Sequence, residues 1–292
     1  MSFLEKIPRL DRRVLYLLVA IAAVVPMFTP LGLPIPTSRE VEGLFDYIEE
    51  LGPGSTVLVA FDFDPQTVGE NGPQASGVLR HCFERDVNVL ITALSQNAPG
   101  MAQEMIETAA AEYDKVNGVD FCYLGYQPYP AIVIMSIGQN FRIPFPQDFY
   151  GTPLDSIPLM RAKQNYDDID LVVSVAAGWV AESWVTYAKE RYGCDVALAV
   201  TAVQAAQYYT FWNAQQIVGL LPGLKGAAEY QAMMKGAGMS YTDAPLRGMD
   251  VQSIEHLLII AFIVVGNVGF FAERARQRRE AAAARAERRG ER

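Results

Sequence analysis

Two stretches of the chain contain no charged residue, Val14 to Leu33 and Leu257 to Ala272, and an arginine-bearing segment lies outside each. No other feature limits the possible folds as much. A helix rises about 1.5 Å per residue, so roughly 20 apolar residues cross a hydrocarbon core about 30 Å thick. The first stretch has that length. The second reaches it when Ile254, Glu255 and His256 sit at the headgroup level. The sequence therefore predicts a transmembrane helix at residues 14–33, a second at 254–272, and one domain at 34–253 between them. The competing reading of the first stretch is a cleaved signal peptide with Lys6, Arg9, Arg12 and Arg13 as its basic n-region. The long apolar run, and Pro26 and Pro30 where a small-residue cleavage site would fall, favour an uncleaved anchor.

Charge gives this layout a direction. Residues 1–13 carry a net +2 and residues 273–292 a net +4, with eight arginines in the tail. The whole chain carries −9, which leaves −15 for the middle. Basic flanks stay on the cytoplasmic side. Both ends are thus expected in the cytoplasm of a cell-membrane protein, with the acidic domain outside it. The lipid bilayer is the first expected partner, the tail arginines lying beside anionic headgroups. Nucleic acid is not expected, because binding its phosphates depends on Lys and Arg.

The middle reads as an alternation of strands and helices. Thr56–Phe61, Val87–Leu94, Val119–Leu124, Ile169–Val175 and Val196–Val200 are short apolar runs of the kind buried on both faces. Helical stretches separate them at 74–85, 100–116, 130–140 and 180–192. Such a pattern predicts an α/β fold with a doubly wound, mostly parallel five-stranded sheet, Rossmann-like or flavodoxin-like. Ahead of it, Thr37-Ser38-Arg39-Glu40 matches a capping box opening a short amphipathic helix. Phe141–Pro158, rich in proline and aromatics, reads as a long ordered loop that is functional or makes contacts. Phe211–Gly238 reads as a helical packing surface with small residues, kinked or divided at Pro222. Cys82, Cys122 and Cys194 lie inside apolar patterns and are expected to be buried thiols.

In open α/β sheets, ligands sit outside the carboxyl ends of the strands. That rule selects Asp62, Asp64, Ser95, Tyr126, Trp179 and Thr201 as candidate ligand-binding residues. Asp62-Phe63-Asp64 after the first strand resembles the DxD of haloacid-dehalogenase-type phosphohydrolases. In that family, the resemblance implies, the first aspartate is the nucleophile, the second is the acid/base, and magnesium bridges to the phosphate. Ser95 could stand for the family's hydroxyl. The chain departs from the family at Thr67, one residue beyond its usual place, and in lacking the lysine of a later strand. Asp167-Asp168 precedes the fourth strand, the wrong end for a metal site. The competing reading of Asp62 and Asp64 is a pair of turn caps.

Other chemistries lack their residues. With only His81 and His256, a histidine-based zinc site is close to excluded. There is no GxGxxG after the first strand, no GxxxxGK[ST] and no GxSxG, so no motif names a cofactor. Within the second apolar stretch, Gly266, Asn267 and Gly269 suggest helix packing, because small residues admit a neighbour and an asparagine seeks one. The reading that follows is a two-pass, membrane-anchored α/β domain acting as a non-catalytic binding, scaffold or accessory subunit. Its partner would be a second copy or another membrane protein. The alternatives are a metal-dependent phosphohydrolase using Asp62 and Asp64, or a solute-binding module of a transporter.

Overall fold

The structure is a computed structural model and describes residues 11–290. Lys6 and Arg9 of the basic n-region, and the last two residues of the tail, lie outside the described residues. The chain forms two compact units. One is Pro34–Leu246; the other joins the segment up to Leu33 with the segment from Arg247.

The first unit is built on a six-stranded sheet, not a five-stranded one. Its strands are β1 (Thr56–Asp62), β2 (Asn88–Ala93), β3 (Phe121–Tyr126), β4 (Leu171–Ala176), β5 (Val196–Val200) and β6 (Gly219–Pro222). All neighbours pair parallel, in the order β3-β2-β1-β4-β5-β6. This is the order of the doubly wound sheet made from two βαβαβ halves, and it excludes the flavodoxin-like alternative.

Successive β1 side chains alternate between two cores. Val57, Val59 and Phe61 join one cluster with α3 (Val68–Glu84) and α4 (Pro99–Glu112). Leu58 and Ala60 join the other with α5 (Pro130–Ile137), α6 (Val180–Trp184) and α7 (Ala202–Asn213). Crossovers thus change face at the β1–β4 junction, as they must when all keep one hand. A π-helical turn, Val185–Glu190, continues α6.

The sixth strand corrects the expected packing helix over 211–238. Pro222 has no N–H to give a ladder, which is tolerated at the end of an edge strand. The region therefore divides into α7, β6 and α8 (Gly223–Gly236). Its glycines serve close approach. A Cβ at Gly219 would stand 2.5 Å from Leu44, and one at Gly43 would stand 2.6 Å from the Val218 carbonyl. These two glycines let α2 (Arg39–Glu50) lie directly against β6. Helix α2 buries Val41, Leu44, Phe45 and Ile48, each worth about 1.5–3 kcal/mol when removed from water.

The expected capping box does not close. Ser38 precedes α2 and donates its N–H (2.8 Å) and Oγ–H (2.5 Å) to Glu229 Oε2 on α8, while Glu40 accepts from Tyr209 Oη (2.8 Å). Tertiary partners replace the local ones because Glu229 is fully buried and needs donors. At the other end of this unit, Thr242 N–H donates to Gln231 Oε1 (2.9 Å), so both chain ends of the domain are tied to α8.

The loop over 141–158 covers the β3 edge. Phe149 N–H donates to the Tyr123 carbonyl (2.8 Å), and the loop buries its own Phe141, Phe145, Leu154 and Ile157. A covered edge cannot template pairing with another chain. The three cysteines are free and buried, and burial pushes each thiol up to about 12, far from the reactive range.

In the second unit, α1 spans Arg12–Phe28, 17 residues, and α9 spans Ala244–Gly290, 47 residues. Two comparable spans were expected. Among the described residues, only α9 is long and apolar enough to cross a membrane by itself, with a window of mean hydropathy 2.1. At 17 residues, α1 is about 25 Å long and falls short of the core thickness. Asp11 caps its start by accepting from Arg13 N–H (2.9 Å), and Thr29 ends it. Helix α9 starts ten residues before the expected span, with Pro245 in its first turn, where a missing N–H costs nothing.

This early start places Asp250 in α9, not in the domain's tail. Only 4% exposed, Asp250 accepts from Leu31 N–H (2.8 Å) and Gly32 N–H (3.0 Å) at Oδ2, and from Leu33 N–H (3.1 Å) at Oδ1. Gly32 has φ +62°, which turns three successive amides toward one carboxylate. The chain leaving α1 is thereby fastened to the first turns of α9.

Candidate functional site

The carboxyl ends of the strands form one edge of the domain, and every candidate residue lies there. Strand order decides which of them can cooperate. β3 and β5 are four strand spacings apart, about 19 Å. Tyr126 and Thr201 therefore cannot touch one small ligand. The candidates separate into a β1–β2 group (Asp62, Asp64, Ser95), a β4–β5 group (Trp179, Thr201), and Tyr126 at the edge strand.

Asp62 ends β1 and is 2% exposed. Its Oδ2 accepts from Trp184 Nε1–H (2.6 Å) and Ser174 Oγ–H (3.1 Å), and its Oδ1 from Leu94 N–H (3.2 Å). The carboxyl thus joins β1, β2, β4 and α6. Burial pushes it up to about 7, against the three donors, each of which favours the charged form. A nucleophile needs an oxygen facing its substrate, whereas Asp62 faces inward with both oxygens engaged. Trp184 and Ser174, the residues that hold it, were not among the candidates. Ser174 is visible in the sequence only as the one hydroxyl inside an apolar strand, and Trp184 only as a helix-face aromatic.

Asp64 is half-buried. Its Oδ1 accepts from Ser95 Oγ–H (2.5 Å) and Asn97 Nδ2–H (3.1 Å), which ties the β1 loop to the β2 loop. Among the described residues, no group of three or more His, Cys, Asp or Glu side chains is placed to hold a metal ion. At the β4–β5 ends, Gln204 Oε1 accepts from Gly178 N–H (2.8 Å) and from Thr201 Oγ1–H (3.3 Å), and Thr201 is buried.

Helix α3 supplies a second layer of polar ties beneath this edge. Gln74 Nε2 donates to the carbonyls of Val200 (3.1 Å), Leu221 (2.9 Å) and Gly223 (3.0 Å). Asn71 Nδ2 donates to Gln74 Oε1 (2.9 Å) and reaches the Ala176 and Ala199 carbonyls (3.4 Å each). These amides satisfy carbonyls where β4, β5 and β6 run out of ladder partners. Glu70 Oε2 accepts from Ala202 N–H (2.8 Å), so a side chain of the protein already occupies the start of α7, where an anion would otherwise bind. Asn71 and Gln74 sit in VGENGPQASG, a stretch without apolar periodicity, and nothing in the sequence marks them as core residues.

Apolar surface remains exposed at this edge. Trp179, after β4, is 61% exposed; Tyr129, after β3, is 73% exposed; and Val203, after β5, is 90% exposed. Tyr129 also has φ +64°, a left-handed conformation that is costly for an aromatic residue and tends to occur at functional positions. Tyr126, the candidate nearby, instead packs against the core.

In α9, the three expected packing residues point different ways. Gly269 is buried and Gly266 is open, while Asn267 is exposed with its Nδ2–H donated to the Ile263 carbonyl (2.8 Å). No family model, curated protein or solved structure matches the chain.

Proposed function

We propose that the chain is a two-pass membrane protein whose α/β domain binds a ligand or partner outside the cytoplasm and catalyses no reaction of its own. In this reading it serves an oligomeric membrane assembly. The observation that carries it is the state of Asp62. The carboxylate best placed to be a nucleophile is consumed by Trp184, Ser174 and Leu94. Trp179, Tyr129 and Val203 meanwhile stand ready for contact along the same edge. Exposed aromatics flanked by satisfied polar groups suit recognition better than chemistry.

The membrane part of the proposal rests on α9 and on the Asp250 clamp. α1 reaches the required length when Thr29–Leu33 is added, and Asp250 holds the last three residues of that segment. The basic ends then orient both termini to the cytoplasm.

The test uses the full chain in mild detergent. Asp64→Asn should leave divalent-cation content and size unchanged, and Trp179→Ala should abolish capture of whatever partner the wild-type protein retains. A divalent ion bound by the wild type and lost in Asp62→Asn/Asp64→Asn would replace this reading with the hydrolase.

A further inference from the structure

We infer that α9 pairs with the α9 of a second copy, parallel and in register, through the side that carries Asn267. The inference deepens the oligomer reading above and rests on it. At 100° per residue, the residues of α9 that are shielded within the uncharged stretch 257–272, Leu258, Phe262 and Gly269, recur on one side. Asn267 lies about 180° around the helix from Leu258. On Asn267's side, Ile260, Ile263 and Phe270 are all more than half exposed. The shielded side is therefore not the side that bears the polar residue.

Ile260, Ile263, Asn267, Phe270, Arg274 and Gln277 alternate in steps of three and four, the a/d spacing of a helix pair. Asn267 falls at an a position, where a single asparagine sets register and favours two strands. Its Nδ2 gives one hydrogen to the Ile263 carbonyl, so the amide retains a second N–H and a carbonyl oxygen for a neighbour. In hydrocarbon, the same asparagine of a second helix supplies both.

Charge selects the orientation. Glu273 precedes the seam at g, and Arg278 follows it at e. The sequence repeats that spacing, with glutamate at 273, 280 and 287 and arginine five residues after each, at 278, 285 and 292. In a parallel pair, g of one helix meets e of the other, here Glu against Arg. An antiparallel pair would set Glu against Glu and Arg against Arg. Two copies with the same membrane orientation are necessarily parallel, so topology and charge agree.

The test uses the full chain reconstituted in phosphatidylcholine vesicles. The native thiols are buried, so single cysteines introduced on α9 report alone. Ile263→Cys should cross-link two copies on oxidation, and Leu258→Cys should not. Asn267→Val should weaken the pair about three- to thirty-fold, the range of one interhelical hydrogen bond in a membrane. Asn267→Gln should retain it, and thermal unfolding of the α/β domain should be unchanged in both. Glu273→Arg and Arg278→Glu should each weaken the pair, and their combination should restore it. A chain that stays oligomeric but cross-links through Leu258→Cys, or ignores Asn267→Val, overturns this inference and leaves the oligomer reading standing. A monomer in sedimentation overturns both.

Discussion

Asp62 and Asp250 belong to different units, yet each is almost fully buried and accepts three hydrogen bonds. The donors differ in kind. Those of Asp62 come from β2, β4 and α6, elements already fixed by the sheet. Those of Asp250 are three consecutive amides of an irregular segment, which has no ladder of its own. Asp62 therefore adds rigidity to something already rigid, while Asp250 gives the chain leaving α1 an anchor that no ladder supplies. A buried carboxylate is thus no sign of chemistry. What matters is whether its donors exist without it.

The largest effect is expected at Asp62. Asp62→Ala leaves the Trp184 indole N–H, the Ser174 hydroxyl and the Leu94 amide buried without an acceptor. It should destabilise the domain by about 3–5 kcal/mol, read as a lower urea midpoint of the buried-tryptophan signal. A loss below about 1 kcal/mol would mean that water replaces the carboxylate, and the site would be open after all.

A pH series sharpens the same point. Asp62 has its folded value raised, so its contribution is fully present below pH 4 and fades as pH rises through about 7. The stability gap between wild type and Asp62→Asn should widen as pH falls from 7 to 4, by at most about 1.4 kcal/mol per unit. His81 works in the opposite direction. Burial holds it down to about 4, and its two ring nitrogens are matched to Tyr230 (2.6 Å) and Glu49 (2.8 Å) as a neutral ring. Its contribution is present above about 6.5 and is lost as pH falls toward 4. An acid loss in Asp62→Asn that disappears on adding His81→Gln would assign the two terms.

Asp250→Ala should act locally. The domain's urea midpoint should shift by less than about 0.5 kcal/mol, because the site lies in the other unit. Cleavage by an added protease between Thr29 and Pro36 should rise several-fold. A domain that unfolds as readily as in Asp62→Ala would show that the two units fold together. The smallest effect is expected at Trp179→Ala, within about 0.5 kcal/mol of wild type, since an exposed side chain away from caps and cavities contributes little.

Much of this layout was legible from local signals. Apolar runs located five strands to within two residues at either end, because strands buried on both faces need no polar alternation. The sixth was hidden because Gly219, Leu220, Leu221 and Pro222 are too few to show a period, and their glycine and proline read as helix breakers. β6 is held there by α2, which lies against it through Gly43 and Gly219. The candidate site was legible as a place but not as a constellation. Asp62 and Asp64 were found by position alone, since strand-end rules need only chain order. Trp184 and Ser174 were not, because they come from sequence separations of more than 100 residues.

The sequence by itself determined that the chain would be α/β in the middle and apolar toward both ends, because periodicity and charge depend only on near neighbours. The tertiary structure alone decided strand order, and so that Tyr126 and Thr201 lie too far apart to share one small ligand. It also decided that the Thr37–Glu40 capping box does not form, Glu40 going to Tyr209 and the N-cap Ser38 to Glu229, and that Asp62 faces inward while Asp250 gathers the amides after α1. Each of these depends on which distant donors burial brings within about 3 Å, and an unpaired buried carboxylate costs too much for local preference to prevail.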